Sequence, residues 1–291
     1  MKRIYLFLVA LLSLPAFAQV SITINQGEAK NIEIDKSVLR ITYKASSLSN
    51  PKDTANRTED IMVLEIGEND ISRFYSDNKR RMDSLVRVSF QRATTNIDIN
   101  MPNLMKENGI GSGGKPEEIY MNYPKDKLTL TDHILTSAYL CEEELNLLSW
   151  EIKPESKEIL NYVCQKAESK FRGRHYEAWF ASELPISSGP WKFRGLPGVI
   201  LEVRDSENHY AFEAIGIEQA DSPILFPEKK YVKASREEIE KIKKRMNDDP
   251  MGYISNSFPE GNVRVVFKDK DGNNLENPPA RPYNPIERAE K

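Results

Sequence analysis

The stretch "ILNYVCQKAESKFRGRHYEAWFA" (159–181) predicts a β-hairpin, and this hairpin indicates the class of the fold. Arg172-Gly173 fits the two-residue turn that joins two antiparallel strands, with Phe171 facing Arg174. Side chains alternate between the two faces of a strand. One face is therefore predicted to carry core residues, namely Val163, Ala167, Tyr176, Ala178 and Phe180, and the other to carry Lys166, Lys170, His175, Glu177 and Trp179.

Short strand-like runs bounded by turn residues recur on both sides of this hairpin. They lie at 22–26, 38–44, 61–66, 71–76, 118–123, 127–131, 134–140, 147–152, 199–203, 209–217 and 263–268. Because they follow one another with few helices between them, they indicate an antiparallel meander. The predicted fold class is mainly β: an antiparallel meander forming one curved sheet or half-barrel, with two helices (about 76–90 and 235–247) and an extended C-terminal tail.

Both predicted helices carry apolar residues at helical spacing. These residues are Met82, Leu85, Val86 and Phe90 in the first helix, and Ile239, Ile242 and Met246 in the second. Ser235 and Glu238 form a capping box, which predicts that the second helix begins there.

The chain is predicted to hold one folded domain between two other segments. Residues 1–18 have Lys2 and Arg3, an apolar run and a small-residue cleavage site, the layout of a secretory signal peptide. Residues 19–270 are predicted to form a single β-rich domain, and the Pro/Asn-rich residues 271–291 an extended tail that does not pack. The apolar run is shorter than the about 20 residues that span a bilayer. The mature chain is therefore predicted to have no transmembrane segment and to be periplasmic or secreted.

Composition excludes one class of partner. The net charge is −3, and the chain is 39% hydrophobic and 29% charged, as in ordinary globular proteins. A mildly acidic chain lacks the positive field that binds phosphate backbones, so no nucleic-acid partner is predicted.

No motif predicts a catalytic residue, a cofactor or a metal. The stretch "GIGSGGKP" (109–116) has the spacing of two nucleotide-binding patterns, but Pro116 stands where a magnesium-binding Ser or Thr is needed. A strand-like run follows it instead of a helix, so a surface loop is predicted.

Histidines and acidic residues give no stronger indication. His133, His175 and His209 are far apart in sequence, and no histidine or cysteine stands two to four positions after any of them. The acidic run 142–144 is predicted to be a solvated turn between two strands.

The two cysteines, Cys141 and Cys164, leave two alternatives open. An exported chain enters an oxidising compartment, which favours a disulfide between them. Both also lie in strand-like runs, where buried free thiols are common. A nucleophilic pair of Cys164 with His175 is not predicted, because the hairpin register separates them by roughly 20 Å.

The stretch "GPWKFRGLPG" (189–198) combines stiff backbone positions with large aromatic rings. Pro197-Gly198 fits the centre of a type II turn, which predicts positive φ at Gly198. This loop is either a rigid connector whose Trp191 and Phe193 pack over the edge of the core, or a recognition loop that presents these rings to a partner. Its candidate residues are Gly189, Pro190, Trp191, Phe193, Gly195, Leu196, Pro197 and Gly198.

Residues 159–205 resemble the GLPGLI family of exported bacterial proteins. The resemblance rests on Tyr162-Val163-Cys164, Lys166-Ala167, Phe171-Arg172-Gly173-Arg174, Ala178-Trp179-Phe180, Gly189-Pro190 and Gly195-Leu196-Pro197-Gly198. Residues 62–85, 141–152 and 283–287 are also similar to the family, while Asn161 and Val199 depart from its pattern. The family has no established activity, so the resemblance implies an exported protein and assigns no chemistry to any residue.

The predicted function is that of an exported envelope protein of unknown molecular activity, most simply a non-enzymatic binding or accessory protein on a β half-barrel. Its expected partner is an outer-membrane protein or a hydrophobic ligand. Two alternatives stay open: a periplasmic carrier that holds a hydrophobic ligand on one apolar face, and a hydrolase whose carboxylates converge only in the fold.

Overall fold

A computed structural model of the chain describes residues 18–21, 30–92, 101–135, 137–146, 148–257, 264–268, 274–275, 280 and 282–288. The predicted signal peptide lies outside these residues except for Ala18, and the predicted strand 22–26 lies outside them entirely.

The described residues form fifteen strands and four helices. The strands are β1 (Ala18–Ser21), β2 (Lys30–Ser47), β3 (Thr58–Gly67), β4 (Ser72–Ser76), β5 (Glu118–Met121), β6 (Lys127–Ile134), β7 (Ser137–Glu144), β8 (Glu151–Ile159), β9 (Tyr162–Phe171), β10 (Arg174–Ala181), β11 (Val199–Asp205), β12 (Tyr210–Glu228), β13 (Tyr231–Lys233), β14 (Arg264–Lys268) and β15 (Asn274–Leu275). The helices are α1 (Asp77–Arg92), α2 (Met101–Glu107), α3 (Arg236–Asp248) and α4 (Pro250–Ser257).

Twelve of the strands form one open sheet in the order β13-β7-β6-β5-β4-β3-β2-β12-β11-β10-β9-β8. All neighbours in it are antiparallel except β13 and β7. The order consists of two meanders, β2 to β7 and β8 to β12, joined where the long strands β2 and β12 pair. The predicted mainly β, antiparallel architecture is therefore confirmed.

The hairpin 159–181 is confirmed in its register. Phe171 pairs with Arg174, and both turn residues have positive φ, 47° at Arg172 and 69° at Gly173, as a tight hairpin turn requires. Ala167, Tyr176, Ala178 and Phe180 are buried on one face.

Val163 is an exception to the predicted core face of this hairpin, because it is 61% exposed. A register shift in the neighbouring pair β10–β11 lies beside Phe180, so Phe180 and Ala181 are both buried. Cys164, which pairs with Ala181, is buried in place of Val163.

Several predicted strands have different boundaries, β8 and β12 among them, and two of the predicted runs contain turns that were not predicted. The run 134–140 contains a reversal, because β6 ends at Ile134, β7 begins at Ser137, and these two residues pair with each other. The run 159–171 likewise begins with a turn, in which Leu160 and Asn161 both have positive φ. No glycine or proline marks either turn, so the sequence pattern did not reveal them.

The two predicted helices are present as α1 and α3. Ser235 caps α3, and its capping box with Glu238 is formed. The helices α2 and α4 were not predicted. α4 begins at Pro250, directly after the cap of α3 at Asp249, and proline suits a first helical position because its missing N–H is not needed there.

One face of the large sheet, here called the inner face, carries the main core. Its fully buried members include Ile41, Tyr43, Leu64, Ile119, Leu128, Ala178, Phe180 and Val203. The helix α3, the segment 182–198 and Ile286 pack onto this core. None of the helices in the described part of the chain is long and apolar enough to cross a membrane.

Residues 282–288 correct the prediction for the tail. They contain no helix or strand, as expected, but they are packed: Asn284 and Glu287 are buried. The reason is that their partners are polar side chains from distant strands, which a local Pro/Asn composition does not reveal.

Candidate functional site

The loop 189–198 lies against the inner face and is buried, apart from Gly195 and Pro197. Trp191 is 3% exposed and Phe193 is fully buried. The structure therefore places both rings inside the protein, the position that the connector interpretation requires.

Aromatic contacts hold these rings in place. The Phe193 ring centroid lies 4.7 Å from that of Tyr176 and 5.0 Å from that of Trp191. Trp191 also meets Phe171 edge-on at 5.9 Å. Edge-to-face rings at these separations are favourable, so the loop is fixed to β9 and β10 by its own side chains.

The glycines of this loop act differently from the prediction. Gly198 does not have positive φ; the left-handed positions are Gly195 at 99° and, unusually for a large residue, Trp191 at 54°. A Cβ on Gly198 would instead lie 2.2 Å from the carbonyl oxygen of Ala181. Gly198 is therefore required by the close approach of two backbones, and the predicted type II turn is wrong.

Replacing Gly198 with alanine should lower the free energy of unfolding by about 1–3 kcal/mol, because a backbone must move to admit the methyl group. Chemical denaturation measures the change. Gly216→Ala is the control, since a Cβ there meets no atom within 4 Å. Gly198→Asn distinguishes a steric contact with Ala181 from a requirement for positive φ. Asparagine tolerates positive φ but is larger than alanine, so a Gly198→Asn variant much more stable than Gly198→Ala would contradict the contact explanation.

Lys192 lies between Trp191 and Phe193 in the sequence, and its side chain is fully buried. Its ammonium group contacts Glu143 on β7 and Oε1 of Glu287, the latter at 2.5 Å. Glu143 belongs to the acidic run 142–144, which was predicted to be a solvated turn. The structure places the run in a strand, with the Glu143 side chain only 10% exposed, so the turn is wrong and Glu143 is not solvated; Glu142 and Glu144 are exposed, as predicted.

Two arginines complete this ion cluster, here called the Lys192 cluster. Arg172 Nη2 lies 2.9 Å from Glu143 Oε1, and Arg236 Nε lies 3.1 Å from Glu287 Oε2. Burial opposes the charge of Lys192, but Glu287 and Glu143 more than offset it, so the Lys192 pKa is raised. Burial also raises the pKa of Glu287, although Lys192 works against this.

A second ion cluster surrounds Lys243 on α3. Its Nζ lies 2.8 Å from Asp132 Oδ2 and 3.1 Å from Glu117 Oε2. Burial opposes this charge as well, but the carboxylates prevail and hold the Lys243 pKa well above its usual value. Glu240, one helical turn earlier, accepts a hydrogen bond from the Tyr283 hydroxyl.

The two ion clusters line one small cavity between α3, β7 and the loop 189–198. Its volume is about 20 Å³, enough for one water molecule. The lining residues are Glu117, Leu130, Cys141, Trp191, Lys192, Arg236, Ile239, Glu240, Lys243, Ile286 and Glu287. The fold thus brings carboxylates together, but it pairs them with lysine and arginine.

The histidines do not come together. His175 is exposed, and the ring of His133 lies beside Lys229. The side chains of Asp205, Glu207 and His209 place their ligand atoms within 4.8 Å of one another, close enough to hold a metal ion. The alternate spacing of the two carboxylates before His209 could have indicated this group.

The guanidinium group of Arg174 lies beside Asp205, Glu207 and His209 and supplies the positive charge that a metal ion would otherwise bring. Its Nη1 is 2.6 Å from Asp205 Oδ2, 3.3 Å from Glu207 Oε2 and 3.4 Å from His209 Nδ1. The Arg174 side chain is fully buried. The group is therefore part of an ion pair network in this structure.

Both cysteines are buried free thiols, so the disulfide alternative is not what the structure contains. Burial raises the pKa of Cys141 and of Cys164 to about 11. Each thiol is thus protonated at neutral pH and a poor nucleophile.

These observations define the class of protein: an open, mainly antiparallel β-sheet whose inner face is covered by the chain's own loop 189–198 and by two buried ion clusters. Residues 171–202, which span β10 and the loop 189–198, match the model of a family described as a protein of unknown function (Porph_ging). No curated protein matches the chain.

Solved structures of PNGF-II are similar in outline. The forms in space groups P21 and C2 each give a TM-score of 0.48 at 13% identity. The match covers 71% and 70% of this chain, and 33% and 32% of the PNGF-II chain. The chain thus spans about a third of the length of PNGF-II.

Proposed function

We propose that this chain is an exported, non-enzymatic protein of the bacterial envelope that acts by binding a protein partner at its surface. The observation that carries the proposal is the filled inner face. Trp191, Phe193 and Leu196 occupy the side of the sheet that an open half-barrel would offer to a ligand.

Membership of the GLPGLI family is part of this proposal. The family resemblance includes the loop 189–198, and the described contacts hold that loop in the interior. The match of 171–202 to a family of unknown function is compatible with it and assigns no activity.

A carrier of a hydrophobic ligand would need an apolar space on the inner face. In the described residues that face is packed with the loop's own rings, and the small cavity beside it is lined by charged groups as well as apolar ones. A carrier would therefore have to displace Trp191 and Phe193 before it could load a ligand, which disfavours this alternative.

The hydrolase alternative has one observation in its favour, because Glu117, Glu240 and Glu287 line one cavity. General acid–base catalysis, however, needs a carboxyl group within reach of substrate. All three are paired with a lysine, and the cavity admits only about one water molecule. Binding of a protein partner is the better-supported function.

Cross-linking in intact cells, followed by mass spectrometry of the purified chain, tests the proposal. We expect a chain that begins at Gln19, a cross-linked envelope protein and no bound lipid. A Leu11→Arg variant, with a charge in the apolar run, is the control and should keep residues 1–18. Stoichiometric lipid on the purified chain would instead establish a carrier, and cytoplasmic retention of the natural chain would refute export.

A further inference from the structure

Residues 282–288, here called the strap, cross the protein beside the Lys192 cluster and are held as a peptide ligand is held. The strap has no helix or strand of its own, and its contacts include side chains on β10, β12 and α3.

Three consecutive backbone carbonyls of the strap are bound. Tyr210 donates its hydroxyl to the carbonyl of Asn284, and Arg174 donates Nη2 to that of Pro285 at 2.7 Å. The carbonyl of Ile286 accepts from Arg174 Nε at 3.0 Å and from the Tyr176 hydroxyl at 3.2 Å. Recognition of successive carbonyls is what fixes an extended peptide in a groove.

Two strap side chains are bound as well. The Asn284 amide donates to the carbonyl of Leu48 at 2.7 Å, and its oxygen accepts from Arg174 at 2.8 Å. Glu287 pairs with Lys192 and Arg236, while Ile286 packs on the main core. The groove therefore selects an amide, an aliphatic side chain and a carboxylate at fixed spacing.

The groove is organised by contacts that do not involve the strap. Asp205 Oδ2 accepts a hydrogen bond from Arg174 Nη1 at 2.6 Å. The other carboxylate oxygen of Asp205 accepts hydrogen bonds from the backbone N–H groups of His209 and Tyr210 at 2.7 and 2.8 Å. Arg172 likewise holds Glu143 on β7. A binding surface that is fixed before its ligand arrives loses less entropy on binding.

We propose that this groove is a peptide-binding site, which the strap occupies in cis and which accepts in trans an extended segment of a partner protein carrying Asn-Pro-aliphatic-Glu. The inference rests on the proposed binding function and names its partner class. A tethered segment has a high effective concentration, so a partner's segment competes with the strap and must bind more tightly or be present in excess.

The test separates the strap from the chain without removing it. Residues 276–279 are replaced by a protease recognition sequence in the full-length chain, and the folded protein is cut there. A fluorescent peptide with the sequence of residues 280–291 is then added, and its anisotropy is measured. We expect the peptide to replace the resident segment, and to bind the uncut chain about 100-fold more weakly because the tethered strap competes.

Peptide variants test the recognition without altering the fold of the protein. Asn284→Ala and Glu287→Gln peptides should each bind about tenfold more weakly, since each loses hydrogen bonds to buried groups. An Ala280→Ser peptide is the matched control, because Ala280 is exposed, and should bind within about twofold of the natural sequence.

Three results would overturn the proposal. The cut segment could stay bound while the added peptide never exchanges, or the cut protein could unfold; either makes the strap a fixed part of the domain. Exchange of straps between two copies of the intact chain, seen as a dimer by light scattering, would make the occupant a second copy. None of these results alters a cross-link to an envelope protein, so failure here is distinguishable from failure of the proposed function.

Discussion

Replacing Trp191 with alanine is expected to lower the free energy of unfolding by about 3–5 kcal/mol, the usual cost of emptying a buried tryptophan site. Trp191 is 3% exposed and touches Phe171 and Phe193 with its ring. Its loss opens a cavity beside the Lys192 cluster, which the rigid strands around it cannot fill. Denaturant or thermal unfolding measures the change.

The backbone at Trp191 allows a finer test. Its φ of 54° is costly for any residue with a Cβ and costs glycine little. Trp191→Gly should therefore be more stable than Trp191→Ala by about 1 kcal/mol, reversing the usual order of the two residues.

Trp179→Ala is the matched control for the Trp191 prediction. Trp179 is half-buried on the other face of β10, beside Lys157, and its loss should cost less. If Trp191→Ala left the melting temperature unchanged but abolished cross-linking to a partner, the ring would be a recognition element and not part of the interior.

Local features of the sequence were sufficient to predict the hairpin and the helices α1 and α3. The turn Arg172-Gly173 and the alternation beside it fix the register of β9 and β10 within a few residues of chain. The capping box at Ser235 does the same for the start of α3. Each of these features depends only on neighbouring residues, which is why this strand pair and these two helices were predicted correctly.

The ion clusters could not be predicted in this way, because their partners are distant in sequence. Glu143 was interpreted from its acidic neighbours, but its burial depends on Lys192, which lies 49 residues away. The strap was interpreted from its prolines, although Arg174, over 110 residues earlier, binds its backbone. Charged residues inside a fold follow the path of the whole chain, which local composition does not contain.

Gly198 shows a further limit of local reasoning. Pro-Gly is typical of a type II turn, and the expected sensitivity to alanine is the same under either explanation. The physical cause differs, because the carbonyl of Ala181 lies where a side chain would go. Only the pairing of β10 with β11 brings these backbones together.

Replacing Lys192 with methionine is expected to cost about 3–5 kcal/mol, as removing one partner from a buried ion pair leaves charge without compensation. Lys192 is fully buried between Glu143 and Glu287, and methionine preserves much of its volume while removing the ammonium group. Arg172 and Arg236 still face these carboxylates, so the cluster is weakened and not abolished.

The pH dependence of the Lys192→Met variant identifies the cause of its instability. Burial already raises the pKa of Glu287 above 4.5 in the folded protein, and loss of Lys192 raises it further. A carboxyl group with a raised folded pKa contributes stability below its unfolded pKa and loses that contribution as pH rises through the folded value. The deficit of Lys192→Met relative to the natural chain should therefore shrink as pH falls toward about 4.5, and adding Glu287→Gln should recover part of it at neutral pH.

Lys127→Met is the control for Lys192→Met. Lys127 also pairs with a glutamate of β7, Glu144, but both side chains of this pair are exposed. Exposed pairs of this kind contribute about 0–1 kcal/mol, so this variant should unfold almost like the natural chain at every pH. Equal losses in both variants would mean that burial does not strengthen the Lys192 cluster. A Lys192→Met deficit that stays constant with pH would mean that lost packing, and not uncompensated carboxylate charge, destabilises the protein.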